Sequence, residues 1–177
     1  MAGGGDNNLF WWNAATGERV RVQFAHVGGV NALATTGDGQ TAASAGHDGQ
    51  VRLWQAATGN AGPVLRLGTP VFALAWSPDG QRLAAGGLDG RVQVWLPRAN
   101  RLLATLLVWE QAGRVHWLVA TPEGWLQLAP EVQITAVAGG EALPVERLLP
   151  LVGQARRVAS ALRGEPAVAV PLPSKLQ

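Results

Sequence analysis

The chain has 177 residues, of which 47% are hydrophobic and 15% charged, a composition that buries a core rather than staying unfolded. Fourteen Lys and Arg against twelve Asp and Glu leave a net charge of +2, which is no electrostatic footprint for nucleic acid. The lack of Cys excludes disulfides, thiolate catalysis and Cys-ligated zinc, and neither a signal peptide in MAGGGDNNLFWW nor the short apolar run Leu102–Trp109 calls for a membrane.

In chain order, Leu9–Trp12 and Arg19–Phe24 read as strands that supply only the last part of a repeat unit. The unit then recurs in full. Val30–Ala34, Val71–Trp76 and Val115–Ala120 are short apolar runs suited to strands buried on both faces. Turns follow them at Gly37–Gln40, Ser77–Gln81 and Thr121–Gly124, where Gly accepts positive φ and Pro pre-sets its own. Second strands over Thr41–Ala45 and Arg82–Gly86 lead to the Asp-Gly pairs Asp48-Gly49 and Asp89-Gly90, the strongest short-range hairpin signal. Third strands over Val51–Trp54 and Val92–Trp95 follow, then a polar loop such as Ala56–Gly59 and a fourth strand. Asp6, Asp48 and Asp89 are spaced by 42 and 41 residues, and Trp12, Trp54 and Trp95 repeat those spacings. Four antiparallel strands at this period describe a β-propeller blade.

The expected architecture is therefore all-β: an incomplete propeller over residues 1–128 and a tail over 129–177. Full blades are expected at 27–67 and 69–108, with part-blades at 1–24 and 115–128. Pro144 and Gly164 bracket a helix over about 144–163, and residues 165–177 read as an extended end.

These residues and spacings resemble the WD40-repeat family over residues 4 to about 124. Gln55, Asn13 and Leu96 stand where that family's pattern has Asp. The resemblance implies a loop histidine, a second-strand hydroxyl, a hairpin Asp and a third-strand Trp joined by hydrogen bonds, which maps to His26, Ser44, Asp48 and Trp54. It also implies a contact face beside the hairpin turns and first strands, which maps to Gly5, His47, Leu88, Asn31 and Phe72. The function implied is a non-catalytic scaffold that binds other proteins in the cytoplasm, with no cofactor, metal, nucleic acid or membrane. Val115–Trp125 is similar to the segment that ends the propeller in large bacterial WD-repeat proteins, with His116 and Trp125 in place of Asp and Tyr.

Ser44, His26 and Asp48 are also the residue types of a hydrolytic triad, which is the alternative reading. Ser44 falls in mid-strand between Ala43 and Ala45, without the exposed nucleophile and oxyanion hole that such chemistry needs. His26, His47 and His116 lack metal-ligand spacing. The next repeat has Leu67 and Ala85 at the His and Ser positions while keeping Asp89 and Trp95, the uneven wear of a structural feature. Closure needs about four to eight blades. The chain is thus expected to be the C-terminal portion of a longer protein, or a half-propeller that closes as a homodimer, or an open fragment.

Overall fold

Apolar runs and Gly-containing turns alternate along residues 1–102, and strands form where the runs fall. A computed structural model describes residues 1–111 and 113–122 and the strands at 126–128, 136–138 and 141–143. The chain divides into two units, residues 1–102 and 103–177.

In the first unit, β1 (Ala2–Gly3), β2 (Asn8–Trp12) and β3 (Arg19–Phe24) form one antiparallel sheet. β1 is an addition to the two strands expected before Phe24. Its Ala2 and Gly3 pair with Phe10 and Leu9 although Ala-Gly-Gly-Gly has little intrinsic strand preference. A four-stranded sheet follows in the order β4 (Val30–Thr35), β5 (Thr41–Gly46), β6 (Gln50–Gln55) and β7 (Ala61–Arg66). β8 (Val71–Trp76), β9 (Leu83–Gly87) and β10 (Arg91–Leu96) then repeat the same antiparallel meander.

Two turn chemistries recur. The Thr36 hydroxyl donates to Asp38 Oδ1 at 2.6 Å and accepts the Thr41 N–H at 3.1 Å, while Gly39 sits at φ 67°. Ser77 does the same with Asp79 and Arg82 at 2.5 and 2.9 Å, with Gly80 at φ 65°. In the hairpins, the carboxylates of Asp6, Asp48 and Asp89 each accept the backbone N–H two residues on, at 3.4, 3.1 and 3.1 Å. Such Asx turns hold the intervening residue left-handed. Asn7, Gly49 and Gly90 have φ values of 69°, 72° and 77°.

The core lies between successive sheets. Leu9, Trp11 and Ala25 pack with Ala42 and Trp54, so one face of the β4–β7 sheet is buried on the β1–β3 sheet. Its other face, with Ala43, Ala45, Val51 and Leu53, packs on Val71, Leu83 and Ala85. Strand alternation explains this division, because Leu53 and Trp54 necessarily point to opposite faces.

In the second unit, the sequence reading has residues 115–128 opening a further blade. The structure instead pairs β12 (Arg114–Ala120) with β11 (Arg101–Gln111) in a long hairpin, from Thr105↔Ala120 to Gln111↔Arg114. β13 (Leu126–Leu128) continues that meander by pairing with β12. Gly113, at φ 74°, supplies the backbone freedom for the return, and Trp109 stacks on His116 across the hairpin at 5.5 Å. β14 (Ala136–Ala138) and β15 (Glu141–Leu143) form a small hairpin that the sequence reading leaves out. The expected helix at 144–163 and the extended end at 165–177 lie outside the described residues.

Candidate interaction surface and the hydrogen-bond chain beneath it

His26 lies in the loop between β3 and β4 and has no exposed surface. Its backbone N–H donates to Asn7 O at 3.1 Å, which ties it to the preceding hairpin. Its ring reaches the other way. Nδ1 is 2.9 Å from Asp48 Oδ1, and Nε2 is 2.7 Å from Ser44 Oγ. Trp54 Nε1 donates to the same Ser44 oxygen at 2.8 Å. One tautomer satisfies every partner: Nδ1–H donates to Asp48, and Nε2 accepts the Ser44 hydroxyl. Burial holds the imidazole pKa below its ordinary value, although the bond to Asp48 and its charge act in the opposite sense. The ring is therefore neutral at pH 7.

Ser, His and Asp are linked here in the order of a hydrolytic triad, and the surroundings distinguish it from one. Ser44 has no exposed surface, sits between buried Ala43 and Ala45, and already accepts the indole N–H. A nucleophile must meet its substrate. The chain has instead the character of a clamp, in which buried donors and acceptors are used up within the fold. Gly46 leaves room for it, since a Cβ there would overlap the His26 ring.

The next repeat shows how the partners are replaced. Leu67 and Ala85 occupy the His and Ser positions and pack in the apolar core. Trp95 Nε1 donates to Gln93 Oε1 at 3.1 Å, and Asp89 faces Arg91 Nε at 3.6 Å. The backbone tie is kept, with Leu67 N–H donating to Gly49 O at 2.9 Å.

Above this network lies an exposed patch. The first strands of both repeats carry the same irregularity, between Val30 and Ala32 and between Val71 and Ala73. A bulge leaves one residue unpaired and re-aims its side chain, and the residues left out are Asn31 and Phe72. Phe72 is 49% exposed and Leu88 65%. His47 is exposed at its hairpin tip and meets Phe72 edge-on, with ring centroids 6.4 Å apart. Gly5 is exposed as well. Asn31 has a second use, because its Nδ2 donates to Val71 O at 3.0 Å and so joins the two repeats.

Three features escape a reading by repeat position. Trp11, rather than Trp12, is buried, and it meets Trp54 edge-on at 5.9 Å and donates to Ala56 O at 3.0 Å. Trp12 is 48% exposed. Val27, exposed in the His26 loop, adds apolar surface close to His47, against which Gly28 packs. An apolar residue in a Val-Gly-Gly turn is the available signal for it. Among the described residues, no group of His, Asp and Glu could hold a metal ion, and no helix is long and apolar enough to cross a membrane.

A four-stranded antiparallel meander stacked face to face between neighbouring meanders, with Asp-turn hairpins at a fixed period, has the form of a β-propeller blade. More narrowly, residues 17–55 and 63–95 match the family model for the WD domain, G-beta repeat. Repeats of this family suggest a role in protein interaction. No curated protein matches the chain.

Proposed function

We propose that the chain is a non-catalytic, cytoplasmic scaffold that binds another protein through the end of the blades carrying His47, Phe72 and Leu88. The observation that carries this reading is the repeated bulge. It spends a paired strand position in each repeat to turn Asn31 and Phe72 outward, beside an exposed Leu88 and Val27. Aromatic and aliphatic side chains at the centre of a patch, with a polar rim, are what protein interfaces use. The test is affinity capture with the Phe72→Asp/Leu88→Asp variant beside the wild type, with circular dichroism to show that both fold. A partner held by the wild type and lost by the variant supports the reading. Equal retention by both overturns the assignment of the face.

A second reading, closure as a homodimer, is favoured by the outer face of the β2–β3 pair. Phe10 and Val22 are register partners there, the Phe10 and Trp12 rings lie 6.5 Å apart, and Trp12, Val22 and Phe24 are 48, 45 and 57% exposed. A second copy that covered this face would remove an apolar patch of the kind monomers seldom expose. Light scattering decides: a dimer dispersed by Trp12→Asp supports closure, and a monomer removes it.

A further inference from the structure

At the opposite end of the strands from His47, the β4–β5, β6–β7 and β8–β9 turns surround an open cleft of about 510 Å³. That size lies within the range of ligand sites. Leu53, Pro63, Trp76 and Pro97 supply its apolar wall, and Arg98 is the one charged residue of the lining among the described residues. A 3-10 turn, Pro97–Ala99, fixes Arg98 there; Pro97 is fully buried, and Asn100 closes the turn at φ 48°. Asp38 feels the field of Arg98 only weakly. Its carboxyl is held low first by the Thr36 hydroxyl and then by the Gln40 N–H, both of which bond its Oδ1. A cleft with apolar walls and a cation is complementary to an apolar group that carries an anionic acceptor. Gly39 has open space where its Cβ would lie, so a main chain can cross the rim.

We propose that this cleft binds a short peptide segment in which an aromatic or branched side chain adjoins a carboxylate. The apolar side chain packs against Trp76 and Pro63, and the carboxylate pairs with Arg98. This site is separate from the His47 end and does not depend on it.

The test is an NMR titration of the full chain with acetyl-Phe-Glu-Gly-amide, with acetyl-Phe-Gln-Gly-amide and acetyl-Gly-Glu-Gly-amide as controls. Shifts are expected at the Trp76 indole and at residues 39–41 and 97–98. Each control is expected to bind about tenfold more weakly, the factor of one charge-assisted bond or one buried apolar side chain. Arg98→Ala, on an exposed turn, is expected to bring the Glu peptide to the affinity of the Gln peptide. Phe72→Asp/Leu88→Asp is expected to leave all three affinities unchanged, which separates this site from the other face. Equal binding of the Glu and Gln peptides, indifference to Arg98→Ala, shifts confined to the His47 end, or no binding would each overturn the proposal.

Discussion

Ser44→Ala removes one hydroxyl and strands two buried partners. Trp54 is 2% exposed and His26 is inaccessible, so neither the indole N–H nor Nε2 can turn to water. Leaving a buried polar group without its hydrogen bond costs about 1–3 kcal/mol. Both bonds are short, at 2.7 and 2.8 Å, and they share one oxygen, so the joint loss is about 3 kcal/mol rather than the sum of two upper values. Urea denaturation followed by tryptophan emission measures it, because Trp11 and Trp54 lie in the affected core. The following repeat supplies an internal control. There Leu67, Ala85 and Gln93 stand at the positions of His26, Ser44 and Arg52, and Gln93 satisfies the indole of Trp95. The triple variant His26→Leu/Ser44→Ala/Arg52→Gln is therefore expected to be more stable than Ser44→Ala alone, although it carries more changes. A Ser44→Ala protein within about 0.5 kcal/mol of wild type, the usual scatter of surface substitutions, would refute the clamp.

Other outcomes follow from the same geometry. Because burial lowers the folded-state pKa of His26, the unfolded chain binds the extra proton first as pH falls. Its stabilising contribution is thus complete above about pH 6.5. It declines below that toward the folded pKa, and denaturation midpoints measured across this range should lose that slope in His26→Leu. Gly46→Ala places a Cβ in the space of the His26 ring, so it should destabilise by about 2 kcal/mol or more through overpacking and a broken chain, read by thermal unfolding. Trp11→Ala should cost about 3–5 kcal/mol as a core truncation, whereas Trp12→Ser, on an exposed face, should change the midpoint little in a monomer. Treatment with a fluorophosphonate should leave Ser44 unmodified by intact-mass measurement, while labelling there would favour the hydrolase.

The hairpins were legible because their signals are local. An Asp followed by Gly or Asn carries its own turn, so Asp6, Asp48 and Asp89 mark three hairpins from residue type alone. The partners of His26 were legible only through resemblance, since 22 residues separate it from Asp48 and no local rule joins them. The choice between Trp11 and Trp12 was not legible. Both are aromatic, they adjoin on one strand, and the packing of the next sheet selects Trp11. Repeat position was nonetheless informative, because Trp12, Trp54 and Trp95 share a face. Trp54 meets the preceding sheet with that face, while Trp12 presents it to solvent. The pairing of β12 escaped for another reason. An apolar run such as Val115–Ala120 states that it needs a partner strand, not which strand that is, and Gly113 made the nearest one available. The cleft escaped because its lining comes from turns far apart in sequence.

The central claim is that the His26 ring clamps the loop between β3 and β4 to the Asp48 hairpin. Amide hydrogen exchange of wild type and His26→Leu, read by segment, tests it most directly. The account predicts that protection falls together in residues 25–29 and 46–50, on the two sides of the imidazole, while residues 83–95 keep theirs. Unchanged protection in both segments, or a loss confined to one of them, would contradict it.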